Sequence, residues 1–219
     1  MTVLAAPGVV GILLAAGRGE RFGGDKLLAR LGSTPIGATW GDRGGAAQDS
    51  AGQPDLEGEC VGTAACRRLL AALPSVIAVV RPDDMALAAA LGASGARIVR
   101  CTNADDGMGA SLACGVSSAP DATGWIIALA DMPWVSPEAI ARIAAAIAEG
   151  APVAAPFYRG ERGHPVGFGK VCYAALVALR GDEGAKSIVT AHRDSLARID
   201  VDDPGVLRDV DTPSDLKLA

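Results

Sequence analysis

The sequence predicts an α/β fold built on a mainly parallel sheet with helices on both faces. Short, continuously apolar segments such as Val9–Leu14 and Val76–Val80 have the composition of strands that are buried on both sides. These segments alternate four times with segments of helical character, which favours parallel strands joined by crossover helices. The chain has 219 residues, of which 50% are hydrophobic, so it is long enough for one large domain.

The first half of the chain contains three of the predicted strands. The strand Val9–Leu14 leads into a glycine-rich loop at residues 15–26 and a short apolar segment at 27–31. Residues 41–62 are rich in Gly, Asp, Gln, Ser and Glu and show no periodicity. Because loops longer than ~12–15 residues are uncommon in compact domains, we interpret them as an exposed insertion, with a functional lid as the alternative. Helices are then predicted at 63–73 and 84–91, and strands at Val76–Val80 and 97–101.

The second half continues this alternation and then departs from it. A glycine turn and a helix are predicted at 103–116, and a fourth strand at 125–130. Ser136, Pro137 and Glu138 are typical of a helix start, which predicts a helix at 136–148. Beyond it we expect strands at 153–157 and 196–201, a polar hairpin-like excursion at 159–168, and helices at 171–179, 184–192 and 214–218. No linker divides the chain, so residues 1–219 are interpreted as a single domain.

Charge and cysteine content limit the classes of partner. The formal net charge is −5, whereas proteins that bind nucleic acid or anionic membranes are more often basic, so neither partner is expected. No apolar run reaches the ~18 residues of a membrane span. The five cysteines are widely spaced and form no CxxC pair, which favours free thiols in a reducing cytoplasm over disulfides or a zinc site.

The glycine-rich loop has the residues of an anion site but matches neither of two common phosphate loops. A G-x-G-x-x-G pattern starts at Gly17 and Gly19 but fails at Phe22. A Walker A pattern fails because Asp25 stands where its lysine should be. The loop is therefore a phosphate loop of another kind or a glycine-rich turn without a ligand, and its basic residues favour an anion.

Carboxylates and basic residues cluster where the predicted strands end. Asp131 directly follows the strand at 125–130, a position suited to Mg²⁺, although a turn aspartate is the alternative. Asp211 is a second candidate ligand, or a cap of the helix that follows it. Arg21 and Lys26 could neutralise phosphate charge or lie on a solvated surface. Residues in or beside the loop and after the second and third strands are expected to meet at one crevice that would bind a phosphate-bearing ligand such as a nucleotide: Leu14, Ala15, Ala16, Gly17, Gly19, Arg21, Lys26, Arg81, Asn103 and Asp106.

Several motifs resemble those of one family. LAAGRGERFGGDKLL, from residue 14, resembles the signature L-A-[AG]-G-x-[SG]-x-R-[MF]-G-x-x-K of molybdopterin nucleotidyltransferase-like proteins. ALADMPWVS, from residue 128, is similar to the metal motif of that family. GHPVGF, GDEGAKSIV and DVDTPSDL, from residues 163, 181 and 209, resemble motifs of its molybdenum cofactor cytidylyltransferase branch. The resemblance covers nearly the whole chain in order, except for residues 41–62.

The resemblance implies a Rossmann-like three-layer nucleotidyltransferase fold and a Mg²⁺-dependent enzyme. It implies that residues 15–26 wrap a triphosphate, with Arg21 and Lys26 as catalytic residues on phosphate oxygens. Asp131 would be the third catalytic residue and would hold Mg²⁺, with the help of Asp211. By analogy, Gly163, His164 and Pro165 would face the acceptor, although a lone loop histidine such as His164 often has no such role.

The expected reaction transfers CMP from CTP to the phosphate of molybdenum cofactor (molybdopterin) and releases pyrophosphate. Ala16 resembles the CTP-using branch, whereas Asp25 resembles the guanylyl branch, so a GTP-using enzyme or one with another phosphate acceptor is an alternative. A non-catalytic molybdenum cofactor carrier is an alternative of another class. A molybdoenzyme or its chaperone is a further expected partner.

Overall fold

A computed structural model describes residues 8–19, 22–32, 56, 58–182 and 184–217, and its centre is one eight-stranded sheet. The strands, in chain order, are β1 Val9–Leu14, β2 Val76–Val80, β3 Arg97–Arg100, β4 Gly124–Leu129, β5 Val153–Tyr158, β6 Glu161–Arg162, β7 Val166–Gly169 and β8 Leu196–Asp200. The sheet order is β3-β2-β1-β4-β7-β5-β6, and β8 pairs with β5. Strands β3, β2, β1 and β4 run parallel, as do β5 and β8, whereas β7 is antiparallel to both β4 and β5.

Helices cover both faces of the sheet, as the alternating pattern predicts. They are α1 Val61–Ala72, α2 Met85–Ala93, α3 Met108–Ser117, α4 Pro137–Ala148, α5 Tyr173–Val177 and α6 Lys186–Ala191. Side chains of α1, α2 and α4 pack in one core cluster, and those of α3, α5 and α6 in a second. Consecutive residues of β1 divide between them, Ile12 in the second and Leu13 in the first, and both are fully buried. This arrangement explains why β1 is continuously apolar.

Strand β7 is the main difference from the predicted architecture. Residues 159–168 were expected to form a polar excursion, but Val166–Gly169 is a buried strand between β4 and β5. Gly167 in this strand allows α4 to lie close to the sheet, because a Cβ there would lie 2.7 Å from Ile147 and 2.8 Å from Ile143. A four-residue strand with two glycines carries neither a periodic pattern nor strong strand propensity.

Several predicted helices are shorter than expected. The turn and helix predicted together at 103–116 are both present, the turn as the 3-10 helix Ala104–Asp106 and the helix as α3, which begins at Met108. The helices predicted at 171–179 and 184–192 are reduced to α5 and α6. The helix expected at 214–218 is a 3-10 turn, Pro213–Leu216.

The predicted insertion at 41–62 lies mostly outside the described residues, but its end belongs to the fold. Cys60 forms an antiparallel bridge with Arg30, and helix α1 begins at Val61, two residues earlier than predicted. Leu56 and Val61 are buried with Leu31 in a third, small core cluster. The lid interpretation is left as a prediction. None of the helices in the described part of the chain is long and apolar enough to cross a membrane.

Candidate active site

A cleft of about 1180 Å³ lies where the parallel strands β1 to β4 end. Its walls come from the loop after β1, the ends of β2 and β3, the segment after β4 and residues close to position 210. Loops at this edge of a parallel sheet commonly bind ligands, because helix starts and chain turns converge there. Most predicted site residues line the cleft: Leu14, Ala16, Gly17, Gly19, Lys26, Arg81, Asp131 and Asp211. Ala15 is buried in the first core cluster, and Arg21 lies outside the described residues.

A lysine and two carboxylates meet in the cleft. Lys26 begins a short 3-10 helix, and its Nζ donates to Asp131 Oδ2 at 2.8 Å. Asp211 Oδ1 lies 3.8 Å from the same Nζ. The lysine side chain is 13% exposed and that of Asp131 is 24% exposed, so this ion pair is partly shielded from solvent. The structure thus brings together Lys26, Asp131 and Asp211, three predicted site residues from distant parts of the chain.

Main-chain contacts hold the two carboxylates in place. Asp131 follows β4, and its carbonyl accepts a hydrogen bond from Val210 N at 2.8 Å, which fixes the segment that carries Asp211. Thr212 and Asp215 form the capping box of the 3-10 helix Pro213–Leu216. The alternative role of Asp211, as the cap of this helix, is therefore filled by other residues.

Asp209 is a third carboxylate of the site, and the sequence analysis missed it. It lines the cleft beside Asp131 and Asp211. Burial, followed by the charges of Asp211 and Asp131, raises the pKa of Asp209 above its ordinary value, while Lys26 opposes the shift. The available signal was its spacing from Asp211, since alternate residues of an extended segment point the same way.

The glycine-rich loop is held over the cleft by arginines and an aspartate. Arg81, at the end of β2, donates from Nη1 to the Ala16 carbonyl at 3.3 Å. Its Nη2 also bonds to Asp105 Oδ1, and Arg18 Nη2 lies 2.6 Å from that same oxygen. These contacts join the loop after β1 to the ends of β2 and β3.

The turn after β3 presents different residues from those predicted. Ala104 and Asp105 line the cleft, whereas Asn103 and Asp106 are absent from its lining. Asn103 instead accepts a hydrogen bond from the Cys101 thiol at 3.3 Å. The 3-10 turn at Ala104–Asp106 sets which side chain faces inward, and no sequence pattern predicts that turn.

Gly107 joins this turn to α3 in a conformation that few other residues adopt. Its φ is +112°, and a Cβ would lie 2.3 Å from Asp182 Oδ1 and 2.5 Å from the Gly181 carbonyl. Gly109 N also donates to the Gly181 carbonyl at 2.7 Å. The loop before α6 thereby packs directly on the start of α3 and adds Asp182 to the cleft.

The predicted acceptor residues lie beside the cleft rather than in its lining. His164 and Pro165 border a small second cavity with Leu129 and Met132, which flank Asp131 in the chain. Gly163 packs against the Val206 carbonyl, and His164 N donates to that carbonyl at 2.8 Å. Burial and the charge of Arg162 lower the pKa of His164, against opposing effects of Asp131 and Asp209. Its Nδ1 is buried and has no hydrogen-bond partner among the described residues.

The donors around Lys26 suit a hard divalent cation. Asp131 and Asp211 supply carboxylate oxygens, and Mg²⁺ is commonly bound by one or two carboxylates together with phosphate oxygens of the substrate. The described residues contain no group of three or more His, Cys, Asp or Glu side chains placed to hold a metal by themselves. The chemistry therefore fits a metal that the substrate helps to bind.

Comparisons with known proteins agree with this chemistry. Residues 52–196 match the profile of a family described as MobA-like NTP transferase domain. The chain is 26% identical over 226 residues to the purine catabolism protein PucB of Bacillus subtilis, and 98% of this chain and 97% of PucB are covered.

Solved structures share the fold. Rv0371c of Mycobacterium tuberculosis is 26% identical with a TM-score of 0.73, covering 97% of this chain and 96% of that one. A complex of Rv0371c with manganese is 25% identical with a TM-score of 0.69, covering 94% and 95%. Molybdopterin-guanine dinucleotide biosynthesis protein A of Archaeoglobus fulgidus is 16% identical with a TM-score of 0.60, covering 94% of each chain, and shows the fold alone.

Proposed function

We propose that this chain transfers CMP from CTP to the phosphate of molybdenum cofactor. The chain belongs to the family of MobA-like NTP transferase domains and is thereby a nucleotidyltransferase that acts on an NTP. The observation that carries the proposal is the meeting of Lys26, Asp131 and Asp211 below the glycine-rich loop. In this reaction the acceptor phosphate oxygen forms a bond to the α-phosphorus of CTP, and the bond to pyrophosphate breaks. Such chemistry needs positioning and charge stabilisation more than a protein nucleophile.

Each charged residue has a distinct task in this proposal. Lys26 places a partly buried cation where the triphosphate enters, and Arg21 is proposed to add a second. Asp131 and Asp211 would hold Mg²⁺, which would neutralise charge on the transferred phosphoryl group. The existence of a manganese complex of Rv0371c, a protein of similar structure, supports the use of a divalent metal. The loop backbone around Gly17 and Gly19 would contact phosphate oxygens.

The choice of CTP depends on Ala16, which lines the cleft and is 5% exposed. Its methyl group resembles the CTP-using branch, whereas Asp25, which also lines the cleft, resembles the guanylyl branch. GTP use is therefore the alternative activity, together with transfer to another phosphate acceptor. His164 and the residues beside it would face the acceptor, and a molybdoenzyme or its chaperone would receive the product.

A carrier that only binds molybdenum cofactor is the alternative of another class. Such a protein has no need for a lysine and two carboxylates together in one cleft, so these residues favour the enzyme. Pyrophosphate release is measured with each of the four NTPs and Mg²⁺, with and without molybdenum cofactor. We expect release with CTP that depends on the cofactor. Release with GTP alone would contradict the cytidylyl assignment, and no cofactor-dependent release with any NTP would contradict the proposed reaction.

A further inference from the structure

Two segments of the chain supply the carboxylates of the candidate site. One follows β4 and carries Asp131, and the other follows β8 and carries Asp209 and Asp211. Burial, followed by the charges of Asp211 and Asp131, raises the pKa of Asp209, so like charges oppose the close approach of the two segments. Lys26 offsets part of this repulsion. Contacts outside the cleft are therefore needed to hold the segments together.

Arg208, directly before Asp209, makes such a contact. Its Cζ lies 3.7 Å from the centroid of the Trp134 ring, so its guanidinium stacks on the indole. Trp134 belongs to the other segment, shortly after Asp131. Arg208 Nη2 also donates to the Lys217 carbonyl at 2.9 Å. Burial lowers the pKa of Arg208, and a guanidinium that has lost part of its water binds an aromatic face more strongly than an exposed one.

Trp134 is firmly fixed beneath this guanidinium. It is 5% exposed and lies in the third core cluster, together with Val210. Its Nε1 is buried and has no hydrogen-bond partner among the described residues, so packing and the Arg208 stack hold the ring. The Trp134 carbonyl lies against Gly205, where a Cβ would be 2.3 Å from that oxygen. A cation held on this ring therefore fixes the chain on either side of it.

We infer that Arg208 is a positioning residue, whose stack on Trp134 holds Asp209 and Asp211 at the separation from Asp131 that suits a divalent cation. Arg208 is absent from the cleft lining, so it acts through the carboxylates that follow it. Within the described part of the chain no group of acidic side chains can hold a metal by itself, so a small shift of this segment should weaken metal binding. The inference rests on the proposed function only in requiring that an NTP and a divalent metal bind in the cleft.

The test measures how much Mn²⁺ strengthens NTP binding. Calorimetry gives Kd for CTP and for GTP without metal and with saturating Mn²⁺, and the ratio of the two Kd values for one NTP is its Mn²⁺ enhancement. We expect Arg208→Gln to reduce the enhancement by about tenfold, the usual effect of losing a partner that orients a metal ligand. The metal-free Kd should change by less than about 1.5-fold, since Arg208 does not line the cleft.

Two further variants test the route through Trp134. Arg208→Lys should reduce the Mn²⁺ enhancement by less than about threefold, because an ammonium can also lie over an indole ring. Trp134→Leu removes the ring, and the double variant Arg208→Gln with Trp134→Leu should lie within about twofold of the more affected single variant, since either change alone abolishes the stack. If Trp134→Leu does not fold, Arg208→Gln and Arg208→Lys still test the inference.

Arg198→Gln is the matched control. Arg198 Cζ lies 4.1 Å from the centroid of the Phe157 ring, and neither residue lines the cleft. This variant loses a similar stack far from the carboxylates, so its Mn²⁺ enhancement should stay within about 1.5-fold of wild type. Thermal unfolding shows whether each variant is folded and how much stability it has lost.

Four results would overturn the inference. An Mn²⁺ enhancement in Arg208→Gln equal to that of wild type would show that the stack positions no metal ligand. Equal losses in Arg208→Gln and Arg198→Gln would indicate general destabilisation. Additive losses in the double variant would show that Arg208 acts through the Lys217 carbonyl. Wild type without any Mn²⁺ enhancement would show that these carboxylates bind no metal. The proposed function fails separately, when pyrophosphate release is absent but the Mn²⁺ enhancement and its response to Arg208→Gln are as expected.

Discussion

Replacing Asp131 by asparagine removes one negative charge from the candidate site while it keeps the shape of the side chain. Lys26 Nζ lies 2.8 Å from Asp131 Oδ2. At an effective dielectric constant of about 20, unit charges at that separation attract by about 6 kcal/mol before desolvation is counted. Desolvation and the second carboxylate, Asp211 at 3.8 Å, offset part of this attraction. Removing one preorganised electrostatic group from an active site typically lowers kcat by about 10²- to 10³-fold.

We therefore expect Asp131→Asn to lower kcat by at least about 10²-fold and to weaken Mn²⁺-dependent binding of the NTP. Pyrophosphate release gives kcat, and calorimetric titration of the NTP with and without Mn²⁺ gives the metal dependence independently of turnover. Asp83→Asn, which removes a carboxylate from the same cleft without touching Lys26, should change kcat only slightly. Turnover near that of wild type in Asp131→Asn would refute the assignment of Asp131 as a metal ligand.

Three further predictions concern the cleft and its surroundings. Gly107→Ala should lower the free energy of unfolding by about 1–3 kcal/mol in chemical denaturation, because a Cβ would lie 2.3 Å from Asp182 Oδ1. Gly160→Ala, which also has a positive φ but open space around it, should cost less. His164→Gln should make the melting temperature less sensitive to acid. The pKa of His164 is lowered from 6.5 in the folded protein, so the imidazole binds a proton more readily in the unfolded chain. The free energy of unfolding therefore falls as pH drops below about 6.5. An acid dependence of the melting temperature equal to that of wild type would contradict this role of His164. Ala16→Gly should raise the ratio of kcat/KM for GTP to kcat/KM for CTP by about tenfold, because loss of the methyl group leaves more room for a purine. An unchanged ratio would contradict the role of Ala16.

The parallel half of the sheet could be predicted because its strands are buried on both faces. Strand β1 was predicted with the bounds found in the structure, Val9–Leu14, as was β2 at Val76–Val80. Helix α4 was equally clear, since Ser136 caps it by accepting from Ala139 N and Pro137 begins it. Strand β7 was missed because its pairing with β4 and β5 is decided by distant packing, which four residues of local sequence cannot express.

The candidate site likewise contains residues that could be predicted from the sequence and residues that could not. Lys26 and Asp131 could be predicted to meet, because each follows a parallel strand and such strands end at one edge of the sheet. The inward placement of Asp105 instead of Asp106 depends on a 3-10 turn of three residues. The contribution of Asp209 depends on where the segment after β8 lies. The hydrogen bond from Val210 N to the Asp131 carbonyl positions that segment, and it joins residues that are far apart in the sequence.

The ion pair between Lys26 and Asp131 also bears on how the protein becomes active as it folds. The two residues are 105 positions apart, and Asp211 comes later still. Contacts of such separation carry a large loop-closure entropy, and high contact order slows folding. An intermediate that contains only β1 to β3 would present the glycine-rich loop and Lys26 without either carboxylate. Recovery of NTP turnover during refolding should therefore follow the slowest phase, after most secondary structure has formed.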